Sequence, residues 1–245
     1  MSPPAALEVT NLRVRYGQRD VVNIPRLSVG EGELVGIVGA NGAGKSTLVN
    51  AIAGWSRAAP RVEGKVELRG EDLTALPAHL RARTGLQLVP DGKLVFDTLT
   101  VSENLDITIG RAMLAGRRVW SVDEVLDLFP RLGQRRTHLG SQLSGGERQM
   151  LGIARALRFG PSCLLLDEPS IGLAPRLVAS VLQTVKALTR TGLAVVLVEQ
   201  NVHAALEVVD QLVLLGRGSV ITQGPAGDIR HDPRIADAYL GTQAH

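Results

Sequence analysis

The sequence predicts an α/β fold organised around a parallel β-sheet. Continuous apolar runs, which suit strands buried on both faces of such a sheet, occur at Leu34–Val38, Cys163–Leu166 and Leu193–Val198. A helical pattern that begins near Pro175 and carries apolar residues along one face separates the last two runs. Strand–helix–strand alternation of this kind implies parallel strands joined by right-handed crossovers. The expected fold class is therefore α/β with a parallel-sheet core.

Shorter patterns flank this core. Apolar and charged residues alternate at Leu12–Tyr16 and again at Lys65–Arg69, which predicts two strands of an antiparallel β layer. A hairpin is indicated by Leu212–Leu215 and Ser219–Thr222, because the three residues between them, Gly216, Arg217 and Gly218, are typical of a tight turn.

The segment from about residue 92 to 142 looks different from the rest of the chain. It has a short helical pattern at Asp123–Phe129 and a basic, loop-like stretch at Arg131–His138, so we interpret it as a helical insertion. We expect one domain over residues 1–245, with the core and β layer at about 7–91 and 143–225 and the insertion at about 92–142. The tail at 226–245 is expected to hold a short helix from Asp228 and a frayed end.

The composition argues against several classes of protein. Of the 245 residues 44% are apolar, which excludes a disordered chain, and the lone Cys163 excludes a disulfide framework or a multi-cysteine zinc site. A net charge of +3 with 3% aromatic residues gives no nucleic-acid-binding signature. No apolar run approaches the roughly 18 residues of a spanning helix, and Met1–Pro4 shows no export signal. We expect a soluble, intracellular protein without a nucleic-acid partner.

A glycine-rich segment after the first core strand matches the phosphate-loop pattern G-x-x-x-x-G-K-[ST]. It consists of Gly39, Ala40, Asn41, Gly42, Ala43, Gly44, Lys45, Ser46 and Thr47. Glycines let consecutive backbone N–H groups turn toward a polyphosphate, and the helix that follows adds its dipole. We expect Lys45 to reach the β- and γ-phosphates of a nucleotide and Ser46 to bind Mg²⁺. A glycine loop that only turns the chain is disfavoured, because a buried strand precedes the segment and a helix follows it.

Two carboxylates, Asp167 and Glu168, come directly after the apolar run Leu164–Leu166. At the carboxyl edge of a parallel sheet, Asp167 can hold Mg²⁺, usually through water. Glu168 lies one residue further, where it can orient and deprotonate an attacking water. The alternative is a polar loop that follows a strand by chance, which the upstream phosphate loop disfavours.

A second helix N-terminus that can receive an anion is indicated at Leu143–Gln149. Its first residues are Ser144, Gly145, Gly146 and Glu147. Taken alone, these four residues are equally typical of an ordinary N-cap. The order of three motifs is far more specific: the phosphate loop, then LSGGERQ, then LLLDEPS.

That order resembles the ATP-binding cassette (ABC) family of transport ATPases, and the resemblance covers about residues 7–225. It implies a P-loop NTPase fold of the ABC-cassette type, with ATP and Mg²⁺ as cofactors. Two cassettes would close head-to-tail over two ATP molecules, so that one chain supplies two half-sites. The resemblance implies that Tyr16 stacks on adenine and that Ser144–Glu147 contacts the γ-phosphate bound by the other subunit. It also implies that Ser170–Leu173 crosses the dimer interface.

Two positions depart from the general pattern of this family. Val89–Lys93 reads VPDGK where most cassettes have a glutamine, so Asp91 would approach Mg²⁺ or its water. Val198–Asn201 reads VEQN where most have a histidine. Gln200 can donate a hydrogen bond to the γ-phosphate but cannot carry a proton charge. A degenerate, inactive site is the alternative, disfavoured because the phosphate-loop lysine and both carboxylates are present.

Both departures look like those of the smaller ATP-binding subunit of branched-chain amino-acid importers. The resemblance implies an ATPase at the cytoplasmic face of the cell membrane that powers import through transmembrane permease subunits, supplied by an external substrate-binding protein. The second cassette would be a sister subunit or a copy of this chain. A groove between Asp91 and the insertion, with Lys93 beside it, would receive a short permease helix.

Other functions remain open from the sequence. Importers of urea or other amides have similar cassettes, so the cargo stays open among branched-chain amino acids, urea or other amides, and other amino acids. A cassette acting on nucleic acid or the ribosome would need zinc cysteines, a long coiled coil or a second cassette, and the sequence has none of them. A regulatory cassette that does not hydrolyse ATP is a third class.

Overall fold

The strands of the computed structural model, which describes residues 5–56, 58–92, 95–107 and 117–235, form one ten-stranded sheet. The strands are β1 (Ala5–Tyr16), β2 (Arg19–Gly30), β3 (Leu34–Val38), β4 (Arg61–Leu68), β5 (Glu71–Asp72), β6 (Leu86–Val89), β7 (Cys163–Asp167), β8 (Ala194–Glu199), β9 (Gln211–Gly216) and β10 (Ser219–Pro225). The helices are α1 (Lys45–Ile52), α2 (Ala78–Thr84), α3 (Val101–Asp106), α4 (Val122–Leu128), α5 (Pro130–Gln134), α6 (Gly145–Arg158), α7 (Pro175–Thr189), α8 (Val202–Leu206) and α9 (Ala226–Ile229).

The predicted parallel core is confirmed. Across the sheet the order is β5-β4-β1-β2-β10-β9-β3-β8-β7-β6, and β9, β3, β8, β7 and β6 are mutually parallel. Side chains of β3 alternate between two hydrophobic clusters, with Leu34 and Val38 in one and Val35 and Ile37 in the other. The strand is therefore buried on both faces, which explains why its sequence is apolar throughout.

The predicted antiparallel layer is also confirmed, because β1 pairs with β4 in antiparallel register. Its third long strand, β2, was not predicted. The buried positions of β2 step by three from Ile24 to Leu27, opposite a matching step from Val9 to Leu12 in β1. Such steps interrupt the period of two by which a half-buried strand is recognised. Asn11, which lies within the step in β1, has a positive φ of 50°.

The helical insertion packs on α6 through α3, α4 and α5. The prediction of a loop over Arg131–His138 was wrong in its first half, where α5 forms. Pro130 occupies the first turn of α5 and the fully buried Leu132 anchors it, and these two features outweigh the basic composition. The buried Arg158 of α6 holds the insertion by donating hydrogen bonds to the carbonyls of Leu105 and Trp120.

Within the described ranges, no helix combines the length and apolar character needed to cross a membrane.

Candidate active site

The glycine-rich loop lies between β3 and α1, as predicted, at the carboxyl end of the buried strand. Gly44 precedes the helix in a left-handed conformation with φ of 99°, and a Cβ there would lie 2.9 Å from the Val21 carbonyl oxygen. A Cβ on Gly39 would collide with the Leu215 carbonyl oxygen. Two chain segments thus press against the loop, and glycine is required at both positions.

Lys45, the first residue of α1, is buried inside the loop, with its side chain 3% exposed. Its ammonium donates hydrogen bonds to the carbonyl oxygens of Gly39, at 2.9 Å, and Ala40, at 3.3 Å. The ammonium also lies 3.2 Å from Oε1 of Glu168. The carboxylate predicted to act as a base therefore neutralises the lysine predicted to bind phosphate.

Ser46 and Asp167 meet at the same edge of the sheet. The Ser46 hydroxyl donates a hydrogen bond of 3.1 Å to Oδ1 of Asp167, which ends β7. Burial raises the pKa of Asp167 to about 6, the Ser46 hydrogen bond opposes that shift, and the charges of Glu168 and Asp91 add to it. The structure thus brings together hydroxyl and carboxylate oxygens, the donors that Mg²⁺ prefers.

Glu168 adopts a backbone conformation that is rare for a residue with a side chain. Its φ is 48°, its N–H donates to the Val198 carbonyl at 3.0 Å, and its own carbonyl accepts from Ile171 at 3.1 Å. Unusual backbone angles of this kind persist only where surrounding contacts hold them, and they concentrate at functional sites.

A cavity of about 640 Å³ opens over the loop. Its wall includes Asn41–Gly42, Gly44–Thr47 and Glu168, together with Arg19 and Arg217, which sequence reasoning missed. Arg217 lies at the tip of the β9–β10 hairpin, and the next residue, Gly218, donates a hydrogen bond of 2.9 Å to the Ala43 carbonyl. The hairpin turn was predicted, but its position against the loop depends on sheet order.

Tyr16, at the end of β1, is half-buried and pairs with Arg19 across the β1–β2 turn. Arg19 contributes to the cavity wall and Tyr16 packs against the neighbouring hydrophobic cluster. Asp91 is exposed after β6, close enough to affect the pKa of Asp167. The groove residue Lys93 lies outside the described residues.

A second cavity, of about 660 Å³, lies between α7 and the end of β8. Gln200 lines it, as do Glu168 and Ser170. Glu168 therefore borders both cavities, and Gln200 lines the one beside the phosphate-loop cavity. The residue before Gln200, Glu199, is buried and was given no role from the sequence.

Ser144–Glu147 forms the first turn of α6 as a capping box. The Glu147 carboxylate accepts hydrogen bonds from the Ser144 N–H at 2.9 Å and hydroxyl at 2.8 Å, and Arg135 lies 3.6 Å from it. Ser144 and Gly145 are exposed, and the turn is not part of the wall of the phosphate-loop cavity in this chain. That placement leaves the turn accessible to a second molecule.

The fold and this loop define a P-loop ATPase. The family model described as ABC transporter matches residues 22–171, and the chain belongs to that family as an ATP-binding, ATP-hydrolysing subunit.

Among curated relatives, the chain is 40% identical to the high-affinity branched-chain amino acid transport ATP-binding protein BraG of Pseudomonas aeruginosa, over 92% of this chain and 95% of that protein. It is 36% identical to the lipopolysaccharide export system ATP-binding protein LptB of Haemophilus influenzae, over 97% of this chain and 98% of that protein.

Solved structures agree with the fold. The ADP conformation of an ATP-binding cassette of an ABC transporter superposes with a TM-score of 0.82 at 25% identity, covering 97% of this chain and 99% of that one. A dimeric bacterial ABC transporter cassette gives a TM-score of 0.75 at 26% identity, covering 90% of this chain and 98% of that one.

Proposed function

We propose that the residues around the phosphate loop divide the work of ATP hydrolysis. Lys45 and the loop amides bind the β- and γ-phosphates, and Glu168 accepts a proton from the water that attacks the γ-phosphorus. ADP is the leaving group, and the products are ADP and inorganic phosphate. Gln200 donates a hydrogen bond to the γ-phosphate. The observation that carries this proposal is the convergence of Lys45, Ser46, Asp167 and Glu168 at one sheet edge.

Mg²⁺, when bound, neutralises charge on the phosphate oxygens. Ser46 and Asp167 would hold it, because their oxygen atoms lie 3.1 Å apart at the mouth of the loop. Asp91 would act through water.

We propose further that two cassettes assemble head-to-tail, so that Ser144–Glu147 of one chain completes the phosphate site of the other. The exposure of Ser144 and Gly145, away from the phosphate cavity of their own chain, supports this arrangement. The dimeric form of the ABC transporter cassette that is 26% identical supports the pairing of two cassettes. Tyr16 would stack on adenine, and Ser170–Leu173 would cross the interface. We propose the domain division that the sequence predicts, with the core and β layer at about 7–91 and 143–225 and the helical insertion at about 92–142.

The proposed role in the cell is to energise import of branched-chain amino acids through permease subunits, at the cytoplasmic face of the membrane. Two observations support it: the 40% identity to BraG, and the sequences VPDGK and VEQN at the two departing positions. A permease helix would dock between Asp91 and the helical insertion. Uptake would draw on an external substrate-binding protein.

Lipopolysaccharide export is a second candidate, favoured by the 36% identity to LptB over nearly the whole chain. Import of urea or another amide is a third. Isolation of the native membrane complex separates them, since the cargo is bound by the partner chains. Right-side-out vesicles that contain that complex and are loaded with ATP should take up labelled leucine, isoleucine or valine. Transport of urea alone, or release of lipopolysaccharide without amino-acid uptake, would replace the proposal.

A further inference from the structure

Glu199, the last residue of β8, is a buried carboxylate with a defined set of partners. The residue is 1% exposed to solvent. Oε1 accepts a hydrogen bond of 3.1 Å from the Ser170 N–H, and Oε2 accepts one of 2.8 Å from the Ser170 hydroxyl. Both carboxylate oxygens are thus directed at one residue of the loop that follows β7.

The Ser170 loop is the one that carries Glu168. The Ile171 N–H donates to the Glu168 carbonyl at 3.1 Å, so residues 168–171 form a closed turn, with Glu168 at φ of 48°. β7 and β8 are adjacent in the sheet, with Asp167 opposite Val198. The turn is therefore held on one side by the β8 backbone, through Glu168 N–H and Val198 carbonyl, and on the other by the Glu199 side chain.

A carboxylate is a costly choice for this position if packing were its only role. Burial raises the pKa of Glu199 to about 7. The two Ser170 hydrogen bonds lower that pKa, and the nearby charge of Glu168 raises it further. A leucine would fill the same space without that cost. What leucine could not do is accept two hydrogen bonds from Ser170 at once.

We infer that Glu199 is a positioning residue for ATP hydrolysis, which fixes the Ser170 turn and thereby holds Glu168 in its left-handed conformation beside the phosphate loop. This inference rests on the proposed role of Glu168 as the base. Glutamine is the conservative replacement, because its oxygen can accept from the Ser170 N–H while its amide donates to the Ser170 hydroxyl.

The experiment compares four single variants of the full chain by steady-state ATP hydrolysis, by the Kd for a fluorescent ATP analogue, and by amide hydrogen exchange of Glu168, Ser170 and Ile171. Glu199→Leu should lower kcat by about tenfold or more, since small misplacements of a reacting group are expensive. The Kd should not increase, because the phosphate-loop contacts remain. Exchange in the turn should accelerate.

Glu199→Gln should retain most of kcat and the slow exchange. Ser170→Ala removes the hydrogen bond from the Ser170 hydroxyl to Glu199 and keeps the one from the Ser170 N–H, so it should lower kcat by several-fold. If Glu199→Leu does not fold, the kcat of Ser170→Ala decides whether these bonds position Glu168. Glu207→Leu is the matched control, because Glu207 lines the same cavity as an exposed carboxylate. It should match the wild type in all three measurements.

A cycle with Glu168→Gln separates this inference from the proposed function. If Glu199 acts through Glu168, Glu199→Leu should cause little further loss in the Glu168→Gln background. Independent, multiplicative losses would overturn the inference, as would a folded Glu199→Leu with wild-type kcat and exchange. If Glu168→Gln itself hydrolyses ATP at the wild-type rate, the base assignment fails, whereas faster exchange in Glu199→Leu would still show that Glu199 holds the turn.

Discussion

Glu168→Gln is the substitution whose effect the structure defines best, because it removes one charge and keeps the size of the side chain. In the wild type, Glu168 Oε1 lies 3.2 Å from the Lys45 ammonium, with the carboxylate side chain 15% exposed. Two unit charges at that separation attract by about 5 kcal/mol at an effective dielectric constant of about 20. Desolvation of both groups offsets most of this, which leaves on the order of 1 kcal/mol net.

Two effects of opposite sign follow for the Glu168→Gln enzyme. Loss of the general base should lower kcat by about 10²- to 10⁴-fold. Release of Lys45 from its carboxylate partner should strengthen ATP binding by about fivefold, the equivalent of that net pair energy. The variant should thus bind nucleotide better while hydrolysing it far more slowly.

The assay is phosphate release at saturating Mg-ATP, paired with titration of a fluorescent ATP analogue. The control is Glu207→Gln, because Glu207 is an exposed carboxylate that lines the neighbouring cavity. Unchanged kcat would refute the assignment of Glu168 as the base. Weaker ATP binding would refute the view that Glu168 and the γ-phosphate compete for Lys45.

Four further outcomes are expected. Arg217→Gln should raise KM for ATP by about tenfold with kcat nearly unchanged, because the lost charge of the cavity wall stabilises the ground state and the transition state equally. Initial rates at several ATP concentrations test this, and Arg13→Gln, at an exposed arginine outside the cavity lining, is the control. Gln200→His should add an ionisation near pH 6–7 to the kcat profile, and a profile with no new pKa would count against its contact with the γ-phosphate. The pKa of Glu199 is about 7 in the folded chain against an ordinary value of 4.5, so the folded chain holds a proton that the unfolded chain releases between those values. Its contribution to the free energy of unfolding is fully present below pH 4.5 and is lost, by about 3 kcal/mol, as the pH rises from 4.5 through 7. Urea unfolding at several pH values should show this decrease. In Glu199→Gln the share of the decrease that is due to Glu199 should disappear. Arg81→Leu should lower the free energy of unfolding by about 3 kcal/mol, because the buried guanidinium donates to carbonyls at the end of α1 and in the loop before α2, and an unchanged urea midpoint would contradict that.

The parts of the site that the sequence predicted are those built from contiguous residues. The loop from Gly39 to Thr47 is one strand–turn–helix segment, and its geometry follows from local glycine and helix preferences. Asp167 and Glu168 were recognised for the same reason, as charged residues at the end of an apolar strand. Glu199 also ends an apolar strand, and that signal was available, but the departure from histidine at the next position drew the interpretation to Gln200.

The parts that could not be predicted depend on which strands become neighbours. Glu199 meets Ser170 only because β8 lies beside β7. Arg217 reaches the phosphate cavity only because the β9–β10 hairpin folds back onto the loop, where Gly218 bonds to Ala43. Sheet order is set by packing of the whole core, and a local pattern carries no information about it.

The central claim, that each ATP site combines the phosphate loop of one chain with the Ser144 turn of another, is tested most directly by mixing two inactive variants. Lys45→Ala removes the loop lysine and Ser144→Arg blocks the turn, so each alone should be inactive in the purified chain. In a head-to-tail dimer, half of the randomly formed pairs are mixed and each mixed pair has one intact site, so the mixture should regain about a quarter of wild-type ATPase activity. A mixture that stays inactive, beside an active wild type, would contradict the shared site, and so would full activity of Ser144→Arg alone.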